Sequence, residues 1–118
     1  MKVLVIGSGA KEHAVTWAFS KSHRISALYI APGNAGTQQI GENIPDLDTT
    51  DPGQVLDACK SRNIDFVFCG TEASQAAGVV NALSEEGFSV FGATREAARI
   101  ESDRWFAEEF MQRHGHAV

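Results

Sequence analysis

Short apolar runs alternate along the chain with segments of helical period. Residues 2–6, 27–30, 64–69 and 88–91 are mostly apolar, whereas residues 11–21, 50–63 and 75–86 repeat their apolar positions every three or four residues. This is the pattern of strands joined by crossover helices, and it predicts a mostly parallel sheet. The first helix is expected to bury Ala14, Trp17 and Ala18, which share one face at i, i+3, i+4 spacing. The second has capping side chains at Thr50 and Asp51 and a proline, Pro52, at its first helical position, and should bury Val55, Leu56 and Cys59. The third should bury Ala76, Val79, Val80 and Leu83 and end at Gly87. Residues 31–49 form a long connection rich in Gly, Pro and Asn, with room for a short edge strand near 43–47. Beyond the last strand, Thr94 can cap a short helix to residue 100. Ser102 or Asp103 then starts another helix, with an apolar stripe of Phe106, Ala107, Phe110 and Met111.

The expected architecture is α/β: a Rossmann-like, doubly wound sheet of four or five mostly parallel strands with helices on both faces. It should occupy residues 1–100 and lead into a helix over 101–118. Ligands of such sheets bind beyond the carboxyl ends of the strands, where the strand order reverses, and three loops leave from that edge: residues 7–12, 31–37 and 70–74. In the first, an apolar strand breaks into Gly7-Ser8-Gly9 and then opens a helix. Unpaired amides and the positive end of the helix dipole make this an anion site. Glu12 stands where a dinucleotide fingerprint has its third glycine, and there it would crowd and repel a pyrophosphate. The second strand ends in Ala31-Pro32, without the acid that takes the ribose of NAD. An NAD-dependent oxidoreductase is therefore disfavoured. Gly9 and the amides after it suit a phosphate, with Lys11 as a nearby positive charge. Pro32-Gly33-Asn34-Ala35-Gly36-Thr37 combines a rigid proline, two residues free to take positive φ, and amide and hydroxyl groups able to bond a sugar or phosphate. Glu72 is placed to accept bonds from ribose hydroxyls or a substrate amine, or to stabilise the start of its own helix.

Composition narrows the partners. The 118 residues suit one domain, and 43% hydrophobic content can build a core. A net charge of -5 gives no general attraction for polyphosphate backbones, so no nucleic acid partner is expected. Cys59 and Cys69 lack metal or redox spacing and read as reduced core thiols of a cytoplasmic protein. The amino-terminal apolar run is too short for a signal peptide or membrane span. His114-x-His116, without a third ligand, is a poor metal site.

Several blocks together carry a family resemblance. Gly7-Ser8-Gly9-Ala10-Lys11-Glu12-His13 is similar to Gly-x-Gly-Gly-Arg-Glu-His, and Pro32 to Thr37 match Pro-Gly-Asn-Ala-Gly-Thr letter for letter. Gly70-Thr71-Glu72-Ala73-Ser74 stands for Gly-Pro-Glu-Ala-Pro, Phe91-Gly92-Ala93 for Phe-Gly-Pro, and Phe106-Ala107-Glu108-Glu109-Phe110-Met111 for Phe-Ala-Lys-x-Phe-Met. With these the chain resembles, over its whole length, the amino-terminal domain of the glycinamide ribonucleotide synthetases (phosphoribosylamine-glycine ligases) of the ATP-grasp superfamily.

The resemblance implies a ligase of purine biosynthesis. ATP phosphorylates the glycine carboxylate, and the amine of 5-phosphoribosylamine attacks the acyl phosphate. It also implies that ATP and magnesium are held mainly by further ATP-grasp domains, with which this segment would pair. The segment would supply part of the sugar-phosphate pocket and be inactive alone. No residue here is assigned catalysis; Glu12 and His13 are counted with the substrate-binding residues, tying the loops together rather than doing chemistry. Arg104 falls where the family has an ATP-associated lysine, and Lys11 replaces an arginine, keeping charge but losing its bidentate fork. Thr71, Ser74 and Ala93 replace prolines, which should loosen those loops. The stripe on the 103–113 helix should pack on the rest of the enzyme or, lacking it, drive self-association. The competing reading is a stand-alone, non-catalytic module for a nucleotide or sugar phosphate.

Overall fold

Side chains of β1 (Lys2–Gly7) alternate between two faces: Val3 and Val5 turn to one side, Leu4 and Ile6 to the other, and all four are buried. A strand apolar on both sides belongs in the middle of a covered sheet. The computed structural model, which describes residues 1–95, places it there. The other strands are β2 (Ala27–Pro32), β3 (Glu42–Asn43), β4 (Phe66–Cys69) and β5 (Ser89–Phe91). All pairs are parallel and the order is β3-β2-β1-β4-β5.

The helices are α1 (Ala10–Ser20), α2 (Ala35–Gln38), α3 (Pro52–Ser61), α4 (Glu72–Ala76) and α5 (Val79–Glu85). On one face, Val15 and Phe19 of α1 pack with Val3, Val5 and Ile30. On the other, Val55 and Cys59 of α3 and Val79, Val80 and Leu83 of α5 pack with Leu4, Ile6, Val67 and Cys69. The sheet is thus doubly wound, as its alternation predicts. Leu4, Ile6, Ile30 and Leu83 are fully buried, and each contributes about 1.5–3 kcal/mol relative to exposure. Asp51 caps α3, its Oδ1 accepting from the Gly53 N–H at 3.0 Å, with Pro52 in the first turn.

Four local expectations are corrected. The buried stripe of α1 is Glu12, Val15, Thr16 and Phe19, not Ala14, Trp17 and Ala18, and Trp17 is 55% exposed with Lys21 Nζ over its ring. Both stripes have helical spacing; the one turned inward packs Val15 and Phe19 on the sheet and Glu12 beside Gly7. The long connection contains the one-turn helix α2, and its edge strand is Glu42–Asn43, not 43–47. The third helix begins at Glu72 and divides at Gly78, which adopts φ +88° as the N-cap of α5. The fourth strand begins at Phe66, because the Asp65 carboxylate turns back to accept from the Lys2 N–H at 2.7 Å. The short helix expected from Thr94 to residue 100 falls largely outside the described residues. The 103–113 stripe, Trp105, Arg104 and the His114-x-His116 pair lie wholly outside them. Among the described residues no helix is long and apolar enough to cross a membrane, and no group of three or more potential ligands could hold a metal.

Both cysteines are buried and free. Burial pushes each thiol up from 9.0 to about 11, against smaller opposing effects of Arg62 on Cys59 and of the Thr71 backbone and Lys11 on Cys69. The folded state therefore holds these protons to higher pH than the unfolded chain. This stabilisation is fully present below about pH 9 and is lost as pH rises toward about 11. The urea midpoint should fall across that window, and Cys59→Ala/Cys69→Ala should flatten the fall. An equal alkaline fall in the double variant would contradict this origin.

Candidate sugar-phosphate site

The order in which strands are added reverses at β1, with β2 on one side and β4 on the other, so the crevice beyond their carboxyl ends is where a ligand fits. Three loops close around it. The Gly33 N–H donates to the Gly7 carbonyl at 3.1 Å, and Asn34 Nδ2 donates to the Ser8 carbonyl at 2.8 Å. Lys11 Nζ reaches over the crevice from α1 and donates to the Gly70 carbonyl at 2.8 Å. Segments distant in sequence thus meet at one rim.

Gly9 is the N-cap of α1, in extended conformation and without a side-chain cap, so the first-turn N–H groups stand at the crevice mouth with no intrahelical acceptor. Gly7 has φ +145°, and a Cβ there would overlap Cγ and Oε1 of Glu12, which folds under the loop and is only 6% exposed. Glu12 therefore does not project into the crevice mouth as a crowding carboxylate; Gly7 makes room for it beneath. His13 is exposed and lies against Gly36, where a Cβ would come within 2.8 Å of His13 Cε1. His13 thus packs the second loop on the first, whereas Glu12 packs within the first.

The second loop begins at Pro32, paired with Gly7 and joined to Ala31 by a cis peptide. Gly33 follows at φ +79°. Asn34 caps α2 reciprocally with Thr37: Asn34 Oδ1 accepts from the Thr37 N–H at 2.9 Å, and Thr37 Oγ1 accepts from the Asn34 N–H at 2.8 Å. The Thr37 side chain is fully buried. Its hydroxyl also donates to Asn43 Oδ1 at 2.7 Å, while Asn43 Nδ2 donates to the Asn34 carbonyl at 2.8 Å. The bracing role of Asn43 from β3 has no sequence signal, because one side chain bridging a loop leaves no periodic pattern. The third loop is held by Gln75 Nε2, which donates to the Cys69 carbonyl at 2.9 Å, and by Thr71 Oγ1 bonded to Ser74 Oγ at 2.8 Å. Glu72 is exposed in the first turn of α4 and accepts no hydrogen bond from the described residues.

Two surface cavities lie elsewhere. One of about 220 Å³ is lined by Ile25, Ser26, Ala27 and Gly41, and one of about 380 Å³ by Cys59, Asn63, Asp65 and Phe88. Both open at the amino edge of the parallel sheet, away from the three loops.

Residues 1–101 match the family model described as phosphoribosylglycinamide synthetase, N domain. The chain belongs to this family. Among relatives of this synthetase N domain, the phosphoribosylamine-glycine ligase of Chlorobaculum tepidum is 45% identical over 98% of the chain and 28% of the relative. The human trifunctional purine biosynthetic protein adenosine-3 is 44% identical over 97% of the chain and 11% of its own length. The crystal structure of a phosphoribosylamine-glycine ligase from Thermotoga maritima superposes with a TM-score of 0.69 at 30% identity, over 98% of the chain and 25% of that structure. The synthetase N domain thus spans about a quarter of the length of the ligases it matches.

Proposed function

We propose that the chain contributes part of the 5-phosphoribosylamine pocket of a cytoplasmic phosphoribosylamine-glycine ligase. Binding of ATP and magnesium, and formation of the acyl phosphate, belong to ATP-grasp domains outside this segment. Arg104 and any self-association through the 103–113 helix belong to the same proposal. The observation that carries it is the convergence of residues 7–12, 32–37 and 70–74 at the β1/β4 crevice, tied by the bonds Gly33 to Gly7, Asn34 to Ser8 and Lys11 to Gly70.

Geometry divides the roles. The amides of Gly9 and the first turn of α1 are free for an anion, and Lys11 Nζ, 2.8 Å from a carbonyl of the opposite loop, can exchange that partner for a phosphate oxygen. Asn34 and Thr37 spend their side chains on each other, on Ser8 and on Asn43, so their contribution is to hold the backbone of Pro32, Gly33 and Gly36 in a fixed curve beside the ligand. Glu72, exposed beside the Gly70 loop, is left to accept from the substrate amine.

Titration of ribose 5-phosphate into the 118-residue chain, followed by amide resonances, should shift residues 9–13 and 33–37 selectively. NAD should leave them unmoved. With ATP, glycine and phosphoribosylamine, no ADP should form. An unmoved loop under ribose 5-phosphate, or steady ADP production, would overturn the reading.

A further inference from the structure

Parallel sheets are covered on both faces, and the described residues leave one face of this sheet open over β4 and β5. Val67, Cys69 and Val90 turn to the face that α3 and α5 cover. Phe66, Phe68 and Phe91 turn to the other. There Phe68 and Phe91, paired in register, stack with ring centroids 5.2 Å apart, and Phe91 is 61% exposed. Among the described residues, the helical hydrophobic side chains packed on this face are Val15 and Phe19 of α1, which lies over β1 and β2 with Phe19 set edge-on to Phe66. The stacked pair stands beyond that helix.

We infer that this open face is the docking site of the chain's own residues 103–113, laid over β4 and β5 by the apolar stripe of Phe106, Ala107, Phe110 and Met111. Spacing sets the place. Strands lie about 4.8 Å apart and packed helices about 8–10 Å apart, so a helix beside α1 comes to rest two strands over, on β4 and β5. The connection is long enough. β5 ends at Phe91 on the carboxyl rim, and the twelve residues from there to Asp103 span up to roughly 40 Å when extended. The chemistry of the two surfaces matches, because aromatic rings meet aromatic rings and the Met111 sulfur finds ring edges. Docking also bears on the crevice: Phe68 Cε1 and Lys11 Nζ both lie against Gly70, 2.8 and 3.3 Å from where a Cβ would sit. The docked segment therefore backs the ring that flanks the Lys11 bridge.

Methionine supplies the probe, since the chain has two, Met1 and Met111. In the 118-residue chain carrying carbon-13 methyl methionine, the Met111 methyl should be moved upfield by the rings and show NOEs to Phe68 and Phe91. Phe91→Ala should reduce that upfield shift while the Met1 methyl stays in place. Phe110→Ser should release Met111 in the same way. Docking within the chain and self-association through the same stripe exclude each other. In a mixture of chains labelled on methionine alone with chains labelled on phenylalanine alone, no NOE should therefore cross between copies. A Met111 methyl at its urea-unfolded position, without NOEs to either ring, would overturn the inference. NOEs that appear in the mixed sample would give the face to a second copy and overturn it too. Neither result bears on what the crevice binds.

Discussion

Replacing Gly7 by alanine is expected to destabilise the chain by about 2–6 kcal/mol. Two costs add. A residue with a Cβ at φ +145° leaves its permitted backbone region, at about 1–3 kcal/mol. The new methyl also overlaps the Glu12 side chain, and overpacking of this kind costs about 1–3 kcal/mol more. Relief of either strain would move the Gly7 carbonyl off the Gly33 N–H and so undock the second loop from the first. The two costs separate experimentally. In a double-mutant cycle, Glu12→Ala should recover the packing part of the Gly7→Ala loss and leave the backbone part, giving a coupling of about 1–3 kcal/mol. Urea denaturation of the four proteins measures it. Additive losses would show that the carboxylate side chain is not what Gly7 accommodates.

Asn43→Ala should cost about 2–3 kcal/mol and weaken ribose 5-phosphate binding, although Asn43 lies in a two-residue edge strand. Its amide bonds Thr37 Oγ1 at 2.7 Å and the Asn34 carbonyl at 2.8 Å, and it fills the space beside Gly33. Two hydrogen bonds at about 1–1.5 kcal/mol each give the magnitude. The loop should then lose its curve without any change in the residues that touch the ligand. Amide hydrogen exchange at Asn34 and Thr37 reads this directly: both should exchange faster in the variant. A stability loss below about 0.5 kcal/mol with unchanged exchange would mean that the capping box between Asn34 and Thr37 holds the loop unaided.

Much of this is legible in the amino-acid sequence. Burial of Leu4 and Ile6 on one face and of Val3 and Val5 on the other is written in an uninterrupted apolar run, and glycine placement marks where the strands release their loops. The meeting of those loops followed from strand order, which the alternation of elements implies. The phase of α1 was not legible, because Ala14-Trp17-Ala18 and Glu12-Val15-Thr16-Phe19 satisfy helical spacing equally. The inward stripe sets Val15 and Phe19 on the sheet and Glu12 in the space beside Gly7, contacts that exist only in the finished fold. The break between α4 and α5 did have a signal, a glycine inside a helical pattern, but a lone glycine there does not show whether the helix bends or continues. Asn43 and Gln75 left none, since each reaches main-chain groups whose position depends on the finished fold.

The central position of β1 also bears on how the chain is made. Among the described strands β1 comes earliest in the chain and lies between β2 and β4, yet its partnership with β4 waits for residues such as Asp65, 63 positions downstream of Lys2. Until that segment emerges, one side of the nascent strand is a bare apolar ribbon open to misassociation, and closing so long a loop slows its capture. Synthesis therefore passes through an interval in which protection of Val3 to Ile6 by a chaperone would matter more than at any later stage.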